Sequence, residues 1–333
     1  MNLQLPRSIP LFPLFIVAAI GLGSPTLGAA EEHSLDGVNF MGPLITANPA
    51  ALPQGNWYIE PYLVRVDSNA SYDGDGKRHD RAARSGAWLT VVPISYGFSK
   101  RLTGQITPSV ARAESDGRHS GGFRLGSTTA KLQYQLQAPN ADGTRPAVSV
   151  SLGQRFATGR HDRIEGNPLD AQGDGVRRTS LGLGVQQIVW MPNGRPLRWR
   201  GNLSYSPGAP RVELRDQSVY GTAEGFRGGI ARGALAGVSA AMEYSFNPRW
   251  VGVMEFSASR ESAQHLSGYA PDAAGVLQRV DERRPASRSV TLAPAVEYHF
   301  NSRVGVIAGV EFSVAGRNSG DFISPQVALG MFF

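Results

Sequence analysis

The sequence predicts an all-β fold: a transmembrane, antiparallel, up-and-down β-barrel of about twelve strands. Three observations predict it. The chain ends Asp321-Phe-Ile-Ser-Pro-Gln-Val-Ala-Leu-Gly-Met-Phe-Phe333, where Phe333, Met331, Leu329, Val327, Pro325 and Ile323 are apolar. The alternate set, Phe332, Gly330, Ala328, Gln326 and Ser324, is mostly small or polar. That period of two is the mark of a strand with one apolar face, not of a helix. Second, similar alternating segments recur from Asn56 to the end, separated by turn signals. Third, the connections alternate between short and long, as they do in barrels with short periplasmic turns and long extracellular loops.

Taken in order, residues 1–30 read as a secretory signal peptide. Arg7 supplies a basic n-region, Leu11 to Ile20 an apolar h-region broken by Pro13, and Gly28-Ala29-Ala30 a small-residue cleavage site. The h-region is too short to span a bilayer. The chain has no Cys, which removes a lipoprotein anchor, disulfides and thiolate metal sites. No later run of about 18 apolar residues follows, so helical membrane spans are excluded. A hydrophobic content of 41% and mean hydropathy of −0.21 fit a barrel, because only alternate residues meet lipid. The net charge of +6 is modest, and no basic run interleaved with aromatics points to nucleic acid.

Residues 31–56 lack alternation and read as an extended segment, lying in the periplasm or folded into the lumen as a plug. The barrel takes up 57–333. The expected strands are Trp57 to Val66, Ala87 to Phe98, Leu102 to Glu114, Phe123 to Gln137, Pro146 to Thr158 and Arg177 to Trp190. They continue with Pro196 to Ser206, Ile230 to Phe246, Trp250 to Glu261, Arg288 to Phe300, Arg303 to Ala315 and Asp321 to Phe333. Short connections such as Ser99-Lys100-Arg101, Asn247-Pro248-Arg249 and Asn301-Ser302 alternate with long polar ones such as 159–176, 207–229 and 262–287. An even strand count returns both termini to the periplasm. Phe98, Tyr134, Trp199, Phe246, Trp250, Phe300 and Phe333 gather beside the short turns, as a periplasmic aromatic girdle does.

The inward phase carries Glu60, Glu243, Glu255, Glu297 with His299, and Glu311, an acidic wall across the closure of the barrel. Lys131, Arg155, Arg198 and Arg200 form a basic wall. Two readings stay open: a water-filled path with a transverse field, or side chains paired across a closed lumen. Near the long-loop ends Arg112, Arg177, Arg232, Arg260 and Arg288 fall in the outward phase, suited to lipopolysaccharide phosphates or to an ordinary rim.

The C-terminal pattern ending in Leu329, Met331 and Phe333 resembles the assembly signal of outer-membrane barrels. It implies the barrel-assembly machinery as a partner, and the outer membrane of a Gram-negative bacterium as the location. Before the first strand stand Gly42-Pro43-Leu44, Asn48-Pro49, Leu52-Pro53 and Trp57-Tyr58-Ile59-Glu60-Pro61-Tyr62. With the strand layout these resemble the outer-membrane transporter family associated with phenol-degradation pathways. The resemblance implies passage of a small, aromatic or hydrophobic compound; the barrel is expected to be monomeric, and no cofactor is assigned.

The rivals are a closed structural barrel and an outer-membrane lipid hydrolase. For the hydrolase, His119-Ser120-Gly121-Gly122 is the nearest match to a Ser/His/Asn arrangement. It falls in a loop, and nothing marks a nucleophile, base and orienter in mutual reach. Asp73-Gly-Asp75-Gly, and Asp170 with Asp174, have too few neighbouring oxygen ligands for Ca²⁺, so no metal site is assigned.

Overall fold

The computed structural model describes residues 34–333, and the signal peptide read at 1–30 lies outside them. Twelve antiparallel strands close into a barrel, in chain order around the wall. The first strand is Trp57–Ile59 with Tyr62–Tyr72, the second Arg78–Val91 with Ile94–Gly97, and the third Leu102–Thr107 with Ser109–Ser115. The fourth to eighth are Thr128–Gln137, Ala147–Phe156, Arg178–Trp190, Pro196–Ser206 and Leu235–Ser245. The ninth to twelfth are Trp250–Glu261, Ser287–His299, Val304–Arg317 and Ser319–Phe332. The twelfth pairs with the first (Tyr58 opposite Phe332, Tyr62 opposite Ala328), so no edge is left open.

The pleat sorts the side chains as the alternation predicts. Trp57, Phe98, Leu132, Tyr134, Phe246, Trp250 and Phe300 are exposed on the outer face, while Glu243, Glu255 and Glu297 are fully buried inside. Near the short turns the rings stack edge-on, as Tyr96 does on Phe98, Tyr244 on Phe246 and Tyr298 on Phe300. This girdle fixes the height of one membrane boundary.

Two features depart from the expectation. The first strand does not stop near Val66. It continues with the second as a hairpin to a turn at Asp73–Lys77, where Asp73 Oδ1 accepts the amides of Asp75 and Lys77 at 2.9 Å. The hydrogen bond with His79, then those amides, hold the Asp73 carboxyl down at about 2.

The loops expected at 207–229 and 262–287 also fold. They form a separate four-stranded sheet of Ala209–Arg215, Arg227–Arg232, Gln264–Pro271 and Leu277–Arg284. Val212, Leu214, Phe226, Ile230 and Leu266 form its core with Val176 and Tyr220. The expected strand from Ile230 to Phe246 is therefore two strands, broken after Arg232. Glu261 ties this sheet to the rim: Arg178 Nη2 donates to it at 2.8 Å and Arg232 Nη2 at 2.7 Å.

The first three strands each carry a proline where the ladder is interrupted: Pro61, Pro93 and Pro108. Proline has no N–H to donate, and inside a sheet it belongs at edges or bulges. Here three adjacent strands lose a donor close together, about 10–15 Å above the girdle at 3.3 Å per residue and 40° of tilt. Pro294 and Pro325 mark a second break, on the tenth and twelfth strands, with Val310 between them.

Candidate functional site

Residues 40–53 run inside the lumen, and the inward acids hold them there. The amides of Met41 and Gly42 donate to Glu297 at 2.8 and 3.0 Å. Those of Leu44, Ile45 and Thr46 donate to Glu255 at 2.6–3.2 Å. A segment without strand or helix leaves its amides unsatisfied, and two fully buried carboxylates supply the acceptors. The seventh and fourth strands take its carbonyls: Asn202 Nδ2 donates to Ala47 O at 2.9 Å and Gln133 Nε2 to Asn48 O at 3.0 Å.

Two glycines let the backbone come this close. A Cβ on Gly42, whose φ is +128°, would meet Arg200 Nη1 at 3.3 Å. A Cβ on Gly97 would collide with Pro53 O at 2.2 Å. Apolar packing finishes the seat, with Leu44 against Val251, Val253, Ala295, Ile307 and Ala328.

The charges do not form two walls facing each other across water. Glu243 lies directly opposite Arg198 on the neighbouring strand and binds it through both oxygens. Arg200 Nε approaches Glu243 Oε2 at 3.0 Å, while Arg200 Nη2 is buried with no hydrogen-bond partner among the described residues. Phe40 stacks under the Arg198 guanidinium at 4.2 Å. Glu297 lies 3.0 Å from His299 Nε2. Opposite charges thus meet in one compact cluster on the seventh to tenth strands, together with the N-terminal segment.

The remaining expected wall residues fall elsewhere. Arg155 stands near the exterior mouth, 2.9 Å from Asp174. Glu311 accepts from Thr291 Oγ1 at 2.8 Å, and Glu60 from Tyr58 Oη at 3.1 Å. Lys131 has neither an ion pair nor a hydrogen bond among the described residues.

Glu60, Glu311, Lys131 and Arg200 line one interior cavity of about 760 Å³. The segment floors it with Leu44, Ile45, Leu52 and Pro53, and the first two strands add Val64, Val66, Leu89 and Val91. Its lining is mixed: apolar side chains predominate, and Ser95, Thr103, Gln133, Ser324 and Gln326 join the four charged groups. On the lipid side of the same wall lies an apolar groove of about 600 Å³, lined by Trp57, Tyr96, Phe98, Ile106, Leu132 and Leu152. Gln105 and Lys131 border both spaces. The sequence did not announce this adjacency, because it depends on which strands pair.

Of the outward arginines, Arg112, Arg177, Arg260 and Arg288 are exposed. Arg232 is a correction: it sits on the exterior sheet, bound by Glu261 and lying 6.0 Å from the Tyr220 ring, and cannot reach the outer wall. His119 and Ser120 do not form a catalytic pair. Ser120 Oγ donates to Gly122 O and accepts from Ala113 N, while His119 Nδ1 lies 3.5 Å from Glu114.

This geometry matches known barrels. The COG4313 outer membrane channel from Pseudomonas putida F1 superposes with a TM-score of 0.61 at 13% identity, covering 86% of this chain and 98% of that one. The chain has the fold of an outer-membrane β-barrel. A NanC porin (TM-score 0.41, 10% identity, 80% and 98% covered) and a TodX monoaromatic hydrocarbon channel mutant (0.40, 11%, 86% and 92%) are more distant. No family model matches the sequence, and no curated protein matches it.

Proposed function

We propose that this barrel passes a small apolar or amphipathic molecule from the exterior into its lumen cavity and out sideways through the wall at the second to fourth strands. The observation that carries this is the shared border at Gln105 and Lys131, between a mostly apolar interior cavity and an apolar lipid-side groove. Two further features support it. The lumen segment is latched to buried carboxylates, which opposes a straight path to the periplasm. The wall beside the cavity contains Pro61, Pro93 and Pro108, so parting its strands costs fewer ladder hydrogen bonds.

The test is entry of a fluorescent monoaromatic amphiphile into the membrane of vesicles carrying the mature chain. Gln105→Trp, which fills the shared border, is expected to slow entry at least several-fold while leaving ion conductance within about twofold. Entry no faster than in protein-free vesicles would overturn the proposal and leave a closed structural barrel. Entry lost together with conductance would favour an axial path.

A further inference from the structure

We infer, resting on the lateral route proposed above, that its cargo is an apolar monocarboxylate and that Lys131 holds the carboxylate. Lys131 faces inward from the fourth strand, in the phase of the buried Gln133 and opposite to the exposed Leu132 and Tyr134. Every inward neighbour in register is uncharged. Gln105 stands directly opposite on the third strand and Gly153 on the fifth, with Thr129 and Gln133 two residues away along its own strand. The side-chain amides beside it are turned elsewhere, Gln133 Nε2 to Asn48 O at 3.0 Å and Gln105 Nε2 to Ser95 Oγ at 3.1 Å. Neither acid of the cavity compensates it. Glu60 accepts from Tyr58 Oη at 3.1 Å and Glu311 from Thr291 Oγ1 at 2.8 Å, and Lys131 has no ion pair among the described residues.

Depth and lining identify the ligand. Lys131 stands three residues above Tyr134 of the periplasmic girdle, about 8 Å along the barrel axis at about 3.3 Å per residue and 40° of tilt. That is acyl-chain depth, away from lipid phosphates, where an ionisable side chain without a counter-charge is costly and marks a solute path. The space beside it holds an organic body: about 760 Å³, with Leu44, Ile45, Val64, Val66, Leu89 and Val91 on its lining. The same lysine borders the lipid-side groove of Ile106, Leu132 and Leu152. An acid held by its head can therefore swing its apolar end from the cavity toward the groove. Arg200, the other cation of the lining, already faces Glu243 at 3.0 Å. One unpartnered ammonium beside Glu60 and Glu311 matches a single negative charge, whereas a doubly charged phosphate head would meet more repulsion. A neutral hydrocarbon would leave the ammonium without a partner.

The experiment titrates the detergent-purified mature chain with naphthoate, its neutral isostere naphthamide and the cation naphthylmethylammonium, following ligand fluorescence. The wild type is expected to bind naphthoate about tenfold more tightly than naphthamide, and the cation least. Lys131→Gln is expected to lose the preference for the anion, Lys131→Arg to keep it, and Lys131→Glu to prefer the cation. The arginine variant separates recognition of charge from a structural role, because damage to the fold would weaken all three probes together. Equal binding of naphthoate and naphthamide by the wild type, tighter binding of the cation, or an unchanged preference in Lys131→Gln would each overturn the inference. Decyl phosphate displacing naphthoate as well as decanoate does would overturn the assignment to a monocarboxylate. Binding is read without transport, so the two readings fail separately. A preference for naphthoate without entry into vesicles would strike the lateral route and leave the site, and entry without the preference would do the reverse.

Discussion

The two sides of this barrel wall are built differently. On the seventh to tenth strands the interior is latched: Arg198, Arg200, Glu243, Glu255, Glu297 and His299 interlock with residues 40–46. On the first to fourth strands it is slack, with three proline interruptions, a cavity, an apolar groove outside and Lys131 in no ion pair among the described residues. The same inward-facing phase produces both. Where carboxylates find amides and guanidinium groups the wall and the segment become one body, and where they do not the interior stays open to a ligand. The difference teaches that one segment can be held by buried carboxylates on one side and by fewer, uncharged contacts with Thr103 and Gln133 on the other.

The largest predicted effect comes from breaking the latch. Glu255→Ala with Glu297→Ala removes the acceptors for five amides, each charge-assisted bond contributing about 1.5–3 kcal/mol. Single-channel conductance in planar bilayers should rise about tenfold, to the level of a chain lacking residues 34–52. Next, Glu243→Gln leaves Arg198 and Arg200 buried without their counter-charge, and should cost about 3–5 kcal/mol in reversible urea unfolding from micelles.

Two changes sharpen the slack side. Restoring ladder donors with Pro61→Val and Pro93→Val should slow amphiphile entry a few-fold and leave conductance alone. Lys131→Gln, which removes the isolated cation of the cavity, should shift the reversal potential toward cation selectivity by about twofold in permeability ratio. The smallest effect belongs to the exterior hairpin, a control outside both sides. Because Asp73 sits at about 2 in the folded chain, its contribution is present above the ordinary carboxylate value, about 4, and is lost as pH falls through about 2. His79→Ala should move Asp73 toward the ordinary value in an NMR titration, with transport unchanged.

Most of the barrel was legible because a strand writes its period of two into the chain. The seventh and ninth strands match the expectation end to end, as Pro196–Ser206 and Trp250–Glu261. Inward placement of Glu243, Glu255 and Glu297 was equally legible. The partners of Glu255 and Glu297 were not, since the amides they bind lie more than 200 residues away in a segment with no periodicity. The exterior sheet was missed although Val212 and Leu214 alternate, because its strands are short and charged.

The most direct test of the contrast is hydrogen–deuterium exchange on the intact mature chain in lipid nanodiscs. Amides beside the prolines, at Val64, Val91, Ile94 and Ile106, are compared with those at Val238, Met242, Val253 and Phe256 on the proline-free eighth and ninth strands. The account predicts exchange at least tenfold faster in the first set, with no slowing when residues 34–52 are removed. Equal protection of the two sets would contradict it, because a wall that opens no more readily beside the cavity offers no way out through its side.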